Sequence, residues 1–314
     1  MHLSQLGLPA LILVSSLALS RAQDAPNQGE IAREALTNSG DRTTSALGAS
    51  RPTAGTVLKA PDPNGEFGDQ VVVRSRAAFD PWRVEVDVQG FFTDNVALAP
   101  TEVEDFFLRT GANVRYLNRI ASDWTAEFGL GQEFIRYDRF SSLNFDKTNL
   151  NVGIATRLSF LGGATALVRY DFDNLTEEGF GDSIFTSHAI TVGLIKSWKI
   201  GDAHKFTLGA ISEPDLAVDP DISVRHEHGL HVGYSVKLTE KLTARLLGRG
   251  GYQVSPNSGR EDWRYQARAS LLYEFTEMLS VGASTAFTWN LSNQDRYDYN
   301  NLLAGAYVNL QYRF

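Results

Sequence analysis

From residue 300 to residue 314 the side chains alternate between two characters. One parity holds Leu302, Ala304, Ala306, Val308, Leu310, Tyr312 and Phe314; the other holds Gly305, Tyr307, Asn309, Gln311 and Arg313, with Leu303 as its single aliphatic member. A period of two means a strand with one oily and one wet face. The same period runs through segments at roughly 82–93, 104–117, 123–138, 146–160, 163–173, 184–199, 204–212, 223–238, 241–253, 262–275 and 279–291, which with the last makes twelve predicted strands.

The connections between these segments fall into two kinds. Five are short (118–122, 161–162, 200–203, 239–240 and 276–278), and six are mostly longer and polar (94–103, 139–145, 174–183, 213–222, 254–261 and 292–299). Short turns alternating with long loops is the arrangement of an antiparallel transmembrane barrel with both ends in the periplasm. A soluble sandwich also alternates, but its strands average about five or six residues, whereas segments of about ten or more suit a tilted crossing of hydrocarbon. The predicted fold class is therefore all-β: a transmembrane antiparallel barrel of about twelve strands at 82–314.

The stretch before the barrel has a different texture. Residues 6–19 form one apolar run, too short to span a membrane and of the length of a signal-peptide core. Ser20-Arg21-Ala22 places small residues where a signal peptidase reads, so 1–22 is predicted to be a signal peptide, although the first five residues lack Lys and Arg. Residues 23–81, rich in Ala, Gly, Asp, Pro and Thr, are expected to be a periplasmic tail and linker, with 71–73 a stray strand or plug segment. Mean hydropathy of -0.21 argues against a multi-helix membrane protein and not against a barrel, whose alternating strands average out. The absence of cysteine excludes disulfides and thiolate metal sites, and a net charge of -8 argues against nucleic acid as a partner.

Parity then assigns the faces. The lipid face of the second strand reads Phe106, Leu108, Thr110, Ala112, Val114 and Tyr116; that of the tenth reads Trp263, Tyr265, Ala267, Ala269, Leu271, Tyr273 and Phe275, with aromatics toward the ends. The opposite parity, strand ends aside, carries eleven bases and seven acids, although the whole chain is acidic. Arg109, Arg115, Arg157, Arg169, Arg245, Arg249, Arg264 and Arg268 are the candidate pore-lining set, since a guanidinium fork in a low-dielectric tube favours carboxylate or phosphate. Ten inward glycines, Gly111 and Gly282 among them, leave room for an open narrow pore. Against this stands a packed Arg/Glu network that conducts nothing.

The terminal Tyr312-Arg313-Phe314 resembles the carboxy-terminal signature of bacterial outer-membrane barrels, which implies recognition by the barrel-insertion machinery through Tyr312 and Phe314. The run 91–98, Phe-Phe-Thr-Asp-Asn-Val-Ala-Leu, followed by Asp105-Phe106 and Gly111, resembles the first strands of outer-membrane porin-like proteins. These resemblances imply a pore or an export-linked barrel in the bacterial outer membrane, in contact with its lipid, monomeric or weakly oligomeric, without naming a solute. No cofactor or metal is expected. The expected function is a diffusion channel for small polar, anionic solutes. The alternatives are an outer-membrane hydrolase of lipid or ester with a rim site near His226 and His228, beside Asp219-Pro220-Asp221, and a structural barrel.

Overall fold

A computed structural model describes residues 80–314, so the expected signal peptide and almost all of the expected tail lie outside the described residues. Twelve strands follow one another: β1 (Trp82–Thr93), β2 (Asp105–Arg119), β3 (Trp124–Tyr137), β4 (Phe145–Leu158), β5 (Ala164–Glu177), β6 (Ser183–Ile200), β7 (His204–Asp219), β8 (His226–Lys237), β9 (Leu242–Ser255), β10 (Arg260–Glu274), β11 (Leu279–Ser292) and β12 (Tyr299–Arg313). Each pairs antiparallel with its sequence neighbour, and β1 pairs with β12 to close the ring. At the seam, Trp82 and Phe314 exchange backbone hydrogen bonds of 3.0 and 3.1 Å, so no strand keeps an open edge.

The strand boundaries agree with the alternation to within about three residues, with two exceptions. β5 runs on to Glu177 and β7 to Asp219, through residues expected to be loop. Glu213, Pro214, Asp215 and Asp219 read as loop chemistry, yet here they extend a hairpin beyond the apolar band, where charge and a missing N–H are tolerated. β6, at 18 residues, keeps pace through register shifts at Leu175/Thr176 and His188/Ala189.

One parity of every strand faces outward. Val88, Leu108, Leu130, Val152, Val192, Leu230, Leu246 and Val308 all stand exposed, an apolar band far too continuous for a water-facing surface. Aromatic pairs bracket it. At the end bearing the short turns these include Trp82–Tyr116 (4.7 Å between centroids) and Trp198–Phe206 (5.6 Å); at the end bearing the loops, Tyr252–Trp263 (5.0 Å) and Phe287–Trp289 (4.3 Å). These two levels are the turn end and the loop end below.

Candidate functional site

The inner wall changes character twice along the barrel axis. At the loop end it is apolar: Phe91, Phe107, Ile135, Tyr137, Phe145, Leu175, Phe185 and Leu303 project inward and pack with Val96 and Leu143, contributed by loops folded into the lumen. Leu303, the odd aliphatic on a wet face, belongs to this cluster and is 4% exposed. Short polar side chains hold the first loop in place. Asp94 Oδ1 accepts the N–H of Leu302 at 2.7 Å, and Thr93 Oγ1 donates to Asn301. The amide of Asn95, fully buried, donates to the carbonyls of Ala99 and Asn300. Asp105, also buried, accepts the N–H groups of Phe106, Arg139 and Phe140 and so fixes the next loop.

Below this plug lies a belt of buried charge in two networks. On the β1–β5 wall, Arg109 bridges Glu133 (Nε–Oε2 2.7 Å) and Asp87 (Nη1–Oδ2 3.3 Å), and Lys147 meets Asp173 at 3.0 Å. Arg169 binds Asp171 at 2.7 Å. On the β8–β10 wall, Glu227 is the hub: its Oε1 pairs with Arg249, while Oε2 takes Arg264 at 3.3 Å, Arg225 at 3.7 Å and the amide of Gln253 at 2.9 Å. Charges removed from water need such partners, because an unpaired one costs several kcal/mol. Several of the inward glycines serve this packing and do not widen a bore as expected, whereas Gly233 has only ordinary contacts around it. A Cβ at Gly282 would strike the ring of Tyr307, at Gly209 that of His231, at Gly305 that of Phe91, and at Gly111 the carboxylate of Asp87.

The turn end is the open part of the lumen. Arg157, Lys199, Lys205, Lys237, Arg245 and Arg313 are inward by parity and exposed, against Glu274 of β10 as the exposed inward acid at this end of the described strands. The eight arginines singled out from sequence thus separate. Arg109, Arg169, Arg249 and Arg264 are held in ion pairs, Arg115 is buried, Arg268 is half-buried, and Arg157 and Arg245 reach water. Arg83, Lys147, Lys199 and Lys205 were missed because they lie near strand ends. Carrying the parity to the ends of the predicted strands finds them.

Outside, a few polar pairs stand in the apolar band. Ser212 Oγ lies 2.9 Å from His228 Nδ1 across the β7–β8 pair, and Tyr170 Oη lies 2.6 Å from His188 Nδ1. His226 and His228 share that outward face, as their spacing of two requires, and His226 sits opposite Pro214. Ser187 is buried inward while its neighbour His188 points out. Among the described residues no group of three metal-ligating side chains occurs. Tyr312 and Phe314 stand exposed beside the seam, 5.6 Å between ring centroids, with Trp82 stacked on Phe314 at 6.4 Å.

No known protein family matches the chain. No curated protein matches it either. Among solved structures it is similar to the COG4313 outer membrane channel from Pseudomonas putida F1, with 10% identity over 75% of this chain and 97% of that one, at a TM-score of 0.51. It also matches the outer membrane phospholipase A from Escherichia coli (13% identity, 72% and 92% covered, TM-score 0.44) and the NanC porin (11%, 72% and 98%, TM-score 0.42). The fold is that of a porin-like outer-membrane β-barrel.

Proposed function

We propose that the chain is an outer-membrane channel for small anionic solutes, entered or left through a basic periplasmic mouth at the turn end. The observation that carries the reading is the exposed inward set Arg157, Lys199, Lys205, Lys237, Arg245 and Arg313, which gives the accessible lumen a positive potential in a chain of net charge -8. Field lines from such a rim concentrate counter-ions inside low-dielectric walls. The arginines of the central belt contribute differently from the expectation. Their charge is neutralised locally by Asp87, Glu133, Asp171 and Glu227, so selectivity rests on the mouth and conduction requires the apolar cluster at the loop end to part. Single-channel recording in planar bilayers tests this. Anion-selective openings are expected; absence of conductance removes the channel, and cation selectivity removes the role of the mouth.

A second reading has one observation in its favour. Ser212 and His228 form a hydrogen-bonded hydroxyl–imidazole pair on the lipid-facing surface, at the level of the Tyr252–Trp263 girdle where acyl esters of a bilayer lie. An ester-hydrolysis assay on lipid vesicles with Ser212→Ala as control separates it from the channel. Hydrolysis abolished by that substitution favours an enzyme, and equal rates with and without Ser212 dismiss it.

A further inference from the structure

We infer that the turn-end mouth is a two-point site for elongated dianions, an assignment that rests on the channel reading and names its solute class. Two rows of like charge lie on the inward face there. In the first, Arg313 of β12, Arg83 of β1 and Arg115 of β2 stand directly opposite one another in register. In the second, Lys199 of β6 faces Lys205 of β7, which faces Ser235 and, one strand on, Arg245 of β9. Like charges directly opposed on neighbouring strands repel. Glu85 and Glu127 lie among the first row and offset part of its charge, and the Glu85 carboxylate is also engaged by Asn309 at 2.5 Å. Among the described strand residues, Glu274 of β10 is the remaining inward acid at this end.

Lys199 and Lys205 face the first row across the lumen, while Arg245 on β9 lies between them and Arg313 on β12. In the closed ring β1 and β7 are six strands apart in either direction, which places Arg83 and Lys205 on opposite walls. Twelve strands spaced about 4.8 Å and tilted about 40° enclose a backbone diameter of roughly 24 Å. Each basic side chain reaches roughly 6 Å inward, leaving about 10 to 12 Å between the two sets of charged heads. A compact dianion touches one row; a dianion with its charges about that far apart touches both. Linear dicarboxylates of roughly eight to ten carbons span that gap.

Isothermal titration of the barrel in lipid nanodiscs, at fixed ionic strength and with empty nanodiscs as reference, tests the site with succinate, suberate and sebacate. Engaging two rows at once raises affinity by effective concentration, so suberate or sebacate is expected to bind at least about tenfold more tightly than succinate. The doubly substituted chains R83Q/R313Q and K199Q/K205Q, folded by circular dichroism, are each expected to reduce the long acids to the affinity of succinate. Succinate binding as tightly as sebacate overturns the site, as does a length preference that survives both double substitutions. Bilayer recordings on the same preparation keep the two ideas apart. Length preference without conductance retains the site and removes the channel, whereas conductance without length preference does the reverse.

Discussion

Glu227 shows what a single side chain does inside this barrel. Arg225, Arg249, Arg264 and Gln253 all converge on its carboxylate, which is 8% exposed. Glu227→Gln leaves three guanidiniums facing one another without their shared anion, and removing one member of a buried ion pair costs about 3 to 5 kcal/mol. Urea unfolding of the detergent-folded barrel is expected to show a loss of that order; a change below about 1 kcal/mol would contradict the hub role. Arg245 belongs to the exposed class. Arg245→Glu is expected to lower the anion-over-cation permeability ratio severalfold in bilayer recordings, while the barrel's thermal stability moves little because surface charges contribute only about 0 to 1 kcal/mol. Parity disclosed that these arginines point inward, but not who neutralises them. Arg109 finds Glu133 at a separation of 24 residues, and Arg264 finds Glu227 at 37, pairings set by register and invisible to a local pattern.

The first long loop illustrates the next scale. The Asp94-Asn95-Val96 run has a physical role: Asp94 and Asn95 lock the loop to β12, and Val96 is carried into the apolar cluster. Asn95→Ala removes the bonds to Ala99 and Asn300, so it is expected to raise the frequency of open events in single-channel traces at unchanged unit conductance. Unchanged gating would separate this loop from the conduction path. Strand number, order and orientation of the faces were all legible, because one buried or lipid-facing side imposes period two. Legibility failed at the loop end, where Phe91, Phe107 and Phe145 are apolar on the inward face as well; alternation cannot report a second, internal core. The same blindness made the inward glycines look like empty space, when Tyr307 and His231 lie across Gly282 and Gly209.

At the scale of the whole molecule the barrel is asymmetric along its axis: apolar and packed at the loop end, charged and paired in the middle, basic and open at the turn end. Its integrity rests on the β1–β12 seam. Removing Phe314 deletes one partner of the two closing hydrogen bonds with Trp82 and the stacked ring beside it. The truncated chain is expected to give a severalfold lower fraction of folded barrel, read as heat-modifiable migration on a gel; full recovery would show the terminal aromatic to be dispensable.

That seam also dictates an order of events. Glu85 meets Asn309 across it, partners 224 residues apart, so one edge of the opening ribbon stays unmatched until the last one is present. Long-range pairing of this kind is slow, and unmatched ribbons adhere to whatever backbone they meet. Throughout that interval the polypeptide carries an unpaired edge, and a chain stopped short of its twelfth ribbon would carry it permanently.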